Sequence, residues 1–148
     1  MEVWITKAAY LDMRAENAQY PDTETGGVWL GKFCEDHWII THNLRPGPAA
    51  LHQPGCFAYD HDYVLAQAKK QIAAFQQPVS VIGYWHTHTS GRNVSSPGDA
   101  PLDEQYAALS PDGALCGIVT NRDGFCLTVY QVELPLRYKK INLIIMED

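Results

Sequence analysis

Short runs rich in β-branched and aromatic residues alternate along the chain with longer runs whose apolar residues recur at helical spacing. The run Glu2–Thr6 is typical of a strand, and the segment Lys7–Ala18 that follows has apolar residues at i, i+3 and i+7. The same patterns predict the elements of the rest of the chain. Further strands are predicted at 26–33, 37–42, 79–88, 115–120, 125–132 and 143–146, and further helices at 60–77 and 96–109.

The segment 79–88 is predicted to be a central strand. Its apolar residues occupy both alternating sets of positions, with Ile82 and Tyr84 on one face and Val81 and Trp85 on the other. A strand that is apolar on both faces is covered on both faces, as in a sheet with a layer on each side.

The segment 44–57 is predicted to be a long loop rich in proline and glycine. Loops of that length in compact domains are more often functional than not.

The order of the predicted elements indicates the fold class. Strands and helices alternate first and strands cluster towards the end, which predicts an α/β fold with a mixed β-sheet flanked by helices. A chain of 148 residues is expected to form a single domain over 1–148. Apolar residues make up 46% of the chain and charged residues 19%, and these globular values argue against disorder.

Charge and composition exclude several classes of function. The chain has 17 acidic against 11 basic residues and a net charge of −6, which argues against binding nucleic acid through a basic surface. No stretch approaches the ~18 uninterrupted apolar residues of a membrane span. The charged N-terminus lacks the apolar core of a signal peptide, so a cytoplasmic location without membrane contact is expected.

The four cysteines are Cys34, Cys56, Cys116 and Cys126, and they form no C-x-x-C pair. This spacing argues against a zinc ribbon and against a thioredoxin-like redox motif. Without a secretion signal, we expect reduced thiols that pack in the core.

Two histidines lie near the end of the predicted central strand. Residues i and i+2 of a strand project from one face, so the imidazoles of His86 and His88 can converge on one ion. Asp99 follows in the first turn of the next predicted helix, and two imidazoles with a carboxylate suit zinc. Three protein ligands leave the fourth tetrahedral position for water, which is the catalytic arrangement. Ser96 is the predicted N-cap, and its hydroxyl could also donate to an oxyanion.

These residues form the pattern H-x-H-x(7)-S-x-x-D, which resembles the signature of the JAMM (MPN+) zinc metalloproteases. That family also has a glutamate upstream, near the start of a strand and ahead of small residues. Here Glu24 precedes Gly26 and Gly27. One departure is Thr89, where many JAMM proteins have proline directly after the second histidine. The spacing to the serine is kept, so we expect altered loop stiffness and no loss of metal.

The resemblance implies a JAMM/MPN (cytidine-deaminase-like) fold and a bound Zn²⁺ ion held by His86, His88 and Asp99. It implies that Glu24 is the general base and that Ser96 supports the oxyanion. The reaction it implies is hydrolysis of the peptide or isopeptide bond after the C-terminus of a ubiquitin-like or otherwise conjugated protein.

The segments 45–48, 57–60 and 83–85 are similar to a compact bacterial branch of this family, encoded beside E1- and E2-like proteins in antiviral operons. The partners implied are therefore the C-terminal tail of a ubiquitin-like protein or of a conjugated nucleotidyltransferase, and the E1- and E2-like proteins themselves. We expect the tail to lie extended beside an edge strand. Weaker signals for substrate contact come from His52, in the long loop, and from His61.

Other functions fit the sequence less well or use the same residues. A non-catalytic MPN scaffold usually lacks one or more of the ligands, and all are present here. The signatures of zinc deaminases (H-x-E with P-C-x-x-C) and of zincins (H-E-x-x-H) are absent, and the metallo-β-lactamase pattern fails at Ser90 and Gly91. Processing of a sulfur-carrier protein stays open, because it would use the same residues. The neighbouring genes would decide between these substrates.

Overall fold

The computed structural model describes residues 1–147, in which nine strands and three helices follow one another. The strands are β1 (Glu2–Thr6), β2 (Gly26–Cys34), β3 (His37–Leu44), β4 (Leu51–Gln53), β5 (Cys56–Ala58), β6 (Ser80–Thr87), β7 (Ala114–Thr120), β8 (Cys126–Glu133) and β9 (Arg137–Met146). The helices are α1 (Lys7–Ala18), α2 (His61–Ala74) and α3 (Ala100–Ala107), and a 3-10 turn (Pro97–Asp99) leads into α3.

Seven strands form one mixed sheet that closes into a barrel, in the order β1-β3-β2-β6-β7-β8-β9. The mixed α/β class is confirmed, whereas closure was not predicted. Closure depends on β9, which pairs with β8 through 137–141 and with β1 through 142–146. Only 143–146 was predicted as strand, because the first four residues of β9 are exposed and show no alternation of apolar and polar positions.

The barrel interior holds one apolar cluster to which every barrel strand contributes. Helix α1 packs into this cluster through Ala9 and Met13. The N-terminus of α1 is capped by Thr6, whose hydroxyl accepts a hydrogen bond from the N–H of Ala9 at 3.2 Å. The strand residues of the cluster are Val3, Ile5, Trp29, Trp38, Ile40, Ile82, Trp85, Leu115, Val119, Val129 and Ile141.

Helices α2 and α3 cover the outer face of the central strands. Val64 and Ala68 of α2 and Tyr106 and Ala107 of α3 are buried in a second apolar cluster there. Helix α2 ends at Ala74, short of the predicted end at 77, and the proline at 78 disfavours helix directly before it. No helix among residues 1–147 combines the length and the apolarity that crossing a bilayer requires.

A β-bulge in β6 changes the faces that simple alternation predicts. Two consecutive residues of β2 pair with Gly83 and Val81, so that Ile82 is an extra residue in β6. Ile82 therefore joins Trp85 in the barrel interior, and the prediction that it shares a face with Tyr84 is wrong. After the bulge the alternation is regular.

The predicted loop 44–57 contains a separate hairpin of β4 and β5. Each strand has three residues, too few for alternation to be visible in the sequence, and Gly55 between them has a φ of +74°. The predicted antiparallel hairpin of β2 and β3 is confirmed. Its turn residues Glu35 and Asp36 have φ values of +52° and +65°, as the tight turn of a hairpin requires.

Replacing Met13 with alanine should lower the free energy of unfolding by about 2–5 kcal/mol, because truncating a fully buried side chain leaves a cavity. Chemical denaturation followed by circular dichroism measures the change. The matched control is Leu11→Ala on the same helix, where the side chain is 53% exposed and the expected change is below about 0.5 kcal/mol. Equal effects of the two substitutions would contradict this placement of α1.

Candidate metal centre

Four residues from separate parts of the sequence meet at one end of the β2–β6 strand pair. The two strands are antiparallel with Gly26 opposite His86, so Glu24, just ahead of β2, lies close to His86 and to His88 just after β6. Asp99, the last residue of the 3-10 turn, completes the group. The structure thus brings together the residues that the motif singled out.

The two imidazoles and the Asp99 carboxylate face one point. His86 Nε2 and His88 Nε2 lie 2.7 Å apart. Asp99 Oδ1 lies 3.5 Å from His86 Nε2, and Asp99 Oδ2 lies 3.4 Å from His88 Nε2. Ligand atoms about 2.0–2.2 Å from a tetrahedral ion are roughly 3.3–3.5 Å from one another. The donor types and the two distances from Asp99 fit one divalent transition-metal ion, whereas the two imidazole nitrogens lie closer together than ligands of a bound ion would.

Contacts behind the rings orient the two histidines. His88 Nδ1 lies 2.8 Å from the backbone carbonyl of Arg92, so Nδ1 donates and the lone pair of Nε2 is left for a metal. His86 Nδ1 is buried and meets no hydrogen-bond partner among residues 1–147. Its ring instead stacks on Tyr84, with centroids 5.6 Å apart and planes 6° from parallel. One imidazole is oriented by a hydrogen bond and the other by stacking.

The electrostatics of the cluster favour an ionised Asp99. Burial raises its pKa, but hydrogen bonds from His86, His88 and the backbone N–H of Ser96 outweigh burial and hold the pKa of Asp99 well below its usual range. The hydrogen bond to Asp99 in turn raises the pKa of His88. Protons and a metal ion therefore compete for the same imidazole nitrogen, and the carboxylate is ready to bind a cation.

Glu24 is buried beside the cluster, with 8% of its surface exposed. Its N–H donates to the carbonyl of Gln53 at 3.1 Å. Burial raises the pKa of Glu24, although the nearby imidazoles oppose this rise. A carboxyl group with a raised pKa is suited to accept and return a proton near neutral pH.

His52 supports the segment that carries Glu24. Its Nδ1 lies 3.1 Å from the carbonyl of Glu24, and its ring stacks on Tyr20 with centroids 3.7 Å apart. The sequence singled out His52 only for substrate contact, and no local pattern could reveal a bond between residues 28 positions apart. His61 lies elsewhere, beside an apolar pocket between α2 and α3.

Two cavities meet at the cluster. The larger, of about 420 Å³, is walled by β5 and by Leu102 of α3, and the smaller, of about 240 Å³, by the loop after His88. Glu24, His86, Ser96 and Asp99 line both cavities. The cluster is therefore open to both cavities.

Ser96 stands at the predicted N-cap position with an extended backbone. Its backbone N–H donates to the carboxylate of Asp99 at 2.8 Å, so this capping bond helps to fix the candidate ligand. Helix α3 itself begins at Ala100, later than predicted, because the 3-10 turn intervenes.

The four cysteines are free, but only Cys116 lies in the core. Cys34, Cys56 and Cys126 are exposed, so the prediction of core thiols is wrong for these three, which lie at strand ends where the chain turns through solvent. Burial raises the pKa of Cys116 well above its usual range, as expected of an inert thiol. No cysteine among residues 1–147 belongs to the metal-ligand cluster.

The chain matches a known protein family over most of its length. Residues 6–130 match the family described as prokaryotic homologs of the JAB domain. The chain belongs to this family. The match spans the candidate ligands and Glu24, and it confirms the JAB/MPN family that the motif indicated.

A curated relative of this JAB-domain protein is the probable metalloprotease y4qB of Sinorhizobium fredii, which is 23% identical over 92 residues. The match covers 62% of this chain and 56% of the relative, so it spans about half of the relative's length. The JAB domain and this relative together suggest a metallopeptidase activity.

The fold has a solved counterpart. The solution structure of protein DSY2949 from Desulfitobacterium hafniense superimposes with a TM-score of 0.72 at 17% sequence identity. The superposition covers 99% of this chain and 94% of the other, so the two proteins share one fold over nearly their full lengths.

The raised pKa of Glu24 predicts a pH-dependent change in stability. The folded state binds this proton more tightly than the unfolded state, so the stability of the metal-free protein falls as pH rises above the ordinary carboxyl pKa of 4.5. Glu24→Gln removes this penalty and should raise the melting temperature of the chelator-treated protein at neutral pH. The gain should vanish in acid, where the carboxyl group is protonated in both states.

Differential scanning fluorimetry across pH measures this effect. Glu104→Gln, an exposed position on α3, is the control and should leave the melting temperature unchanged. A lower melting temperature for Glu24→Gln at neutral pH would contradict the burial of an ionised Glu24.

Proposed function

We propose that this JAB-domain protein is a zinc-dependent peptidase or isopeptidase. Its substrate would be the amide bond after the C-terminus of a ubiquitin-like or otherwise conjugated protein. The observation that carries the proposal is the convergence of two imidazole nitrogens and a carboxylate on one point beside the buried Glu24. Family membership and the metalloprotease relative support hydrolysis of a peptide-type bond.

His86 and His88 would hold the zinc ion through Nε2, and Asp99 through a carboxylate oxygen. A bound zinc ion lowers the pKa of a coordinated water to about 7 and polarises a carbonyl oxygen. Glu24 would take a proton from the attacking water and return it to the leaving nitrogen as the carbon–nitrogen bond breaks, which yields a free carboxylate and a free amine. The Ser96 hydroxyl would donate to the oxygen that carries the developing negative charge.

The substrate tail would lie in the larger cavity along β5. The barrel strands are paired on both sides, whereas β5 pairs only with β4 among the described residues and lines the cavity wall. The outer edge of β4 already bonds the N–H of Glu24 through Gln53. The free edge of β5 is therefore the one beside the site that an extended tail can join.

A role in bacterial antiviral defence, with E1- and E2-like partners, is the biological setting that we propose. It rests on the resemblance of the segments around Arg45, Phe57 and Tyr84 to a defence-associated branch of the family. The neighbouring genes test it. If they encode no E1- or E2-like protein, no ubiquitin-like protein and no nucleotidyltransferase, this setting is wrong, and processing of a sulfur-carrier protein is the alternative to examine.

The activity is tested on a ubiquitin-like protein that carries a fluorogenic amide at its C-terminus. The wild type should bind about one zinc per chain and cleave the amide. Asp99→Ala should lose both zinc and cleavage. Glu24→Gln should keep zinc but lose at least about 100-fold in kcat, because a positioned general acid–base typically contributes that much.

Metal content is measured by mass spectrometry on the same preparations. Glu104→Gln serves as the control for the loss of one carboxylate. Wild-type cleavage that survives in Glu24→Gln would contradict the assigned role of Glu24. A zinc-free wild type without activity would favour the non-catalytic scaffold.

A further inference from the structure

Two buried threonines join the segment that carries Glu24 to the strand that carries the histidines. Thr25 directly follows Glu24, and Thr87 lies between His86 and His88. The Thr25 N–H donates to the hydroxyl of Thr87 at 2.9 Å, and the Thr87 N–H donates to the Thr25 carbonyl at 2.8 Å. The Thr87 hydroxyl also donates to that carbonyl at 3.3 Å. Three hydrogen bonds therefore fix Thr25 on β6.

A charge network around the buried carboxylate of Glu16 holds Thr25 from the side of α1. The Thr25 hydroxyl donates to Glu16 Oε2 at 2.8 Å, and Glu16 is only 4% exposed. Arg45 donates to the other oxygen of Glu16 at 3.1 Å and also contacts Asp12 at 2.8 Å. The buried carboxylate is thus matched by a cation and a hydroxyl, the condition under which such a charge is tolerated.

The other support of Glu24 is less rigid. Its backbone N–H and carbonyl bond to Gln53 and His52, which belong to the three-residue strand β4. Strands that short, mostly exposed and outside the barrel, belong to the low-stability part of a fold. The contact between Thr25 and Thr87 therefore ties Glu24 to the rigid part of the molecule.

We propose that Thr87 is a positioning residue, whose hydroxyl keeps Glu24 at a fixed distance from the imidazoles of His86 and His88. The inference rests on the proposed function, because it concerns proton transfer at that site. Glu24 lies outside the ladder of β2 and β6, so its place depends on the anchoring of its neighbour. Proton transfer needs heavy atoms about 2.6–3.2 Å apart. A misplacement of about 1 Å can lower the rate about 100-fold.

Thr87→Val tests the proposal, because valine keeps the shape of the side chain and removes the hydroxyl. On the fluorogenic amide, kcat should fall roughly 10- to 100-fold, with KM and zinc content unchanged. Thr87→Ser restores the hydroxyl and should keep kcat near that of the wild type. The matched control is Thr41→Val. It removes a threonine hydroxyl from β3 that donates to the carbonyl of Leu30 at 3.2 Å. It should leave kcat unchanged.

Hydrogen exchange of the Thr25 amide gives a readout that needs neither metal nor activity. In the chelator-treated protein, Thr87→Val should speed this exchange by at least tenfold, about the effect of losing one buried hydrogen bond, and Thr41→Val should not. If Thr87→Val fails to fold, Thr87→Ala replaces it. Alanine and serine at this position differ by one oxygen atom, so their comparison isolates the hydroxyl.

The outcomes separate this inference from the proposed function. If Thr87→Val keeps wild-type kcat and slow exchange at Thr25 while Glu24→Gln is inactive, the inference is overturned and the proposed function stands. If the zinc-loaded wild type does not cleave the amide, the proposed function fails and the kinetic part of the inference fails with it.

Discussion

The pairing of Gly26 with His86 brings the start of β2, next to Glu24, alongside the end of β6, next to the two imidazoles. A Cβ atom at Gly26 would collide with the backbone oxygen of Trp85 in β6, and one at Gly27 would lie 2.7 Å from the backbone oxygen of Leu44 in β3. Neither position therefore accepts a side chain without moving the strands apart. Glycines are required at these two positions because β2, where it begins beside the candidate site, lies close to β6 at Gly26 and to β3 at Gly27.

Two carboxyl groups of the candidate site, those of Asp99 and Glu24, have pKa values that are shifted in opposite directions. Asp99 receives hydrogen bonds from two imidazoles and a backbone N–H, which hold its pKa down, whereas burial raises the pKa of Glu24. Environments that push the pKa values of two neighbouring carboxyl groups apart suit the groups to different roles, which agrees with the roles proposed here, a metal ligand for Asp99 and a base for Glu24. The cost of keeping Glu24 ionised in its buried position is a destabilising feature that a bound cation would offset.

Spacing along the chain was enough to predict the candidate ligands. His86 and His88 share a face because a strand alternates, and the intervening loop is short enough to return Asp99. Contacts between distant segments were not predictable. The bulge at Ile82 shifts the phase of β6, the exposed half of β9 has no apolar signal, and β4 and β5 are too short to alternate. Nothing local in the sequence indicates that Thr87 bonds a residue 62 positions away.

X-ray absorption at the zinc K edge of the zinc-loaded protein tests the central claim most directly. The account predicts two imidazole nitrogens and two oxygens at about 2.0–2.1 Å, with the multiple-scattering pattern of two histidine rings. A sulfur shell at about 2.3 Å would contradict it, because the ion would then be held by the exposed cysteines. A first shell without imidazole would contradict it equally.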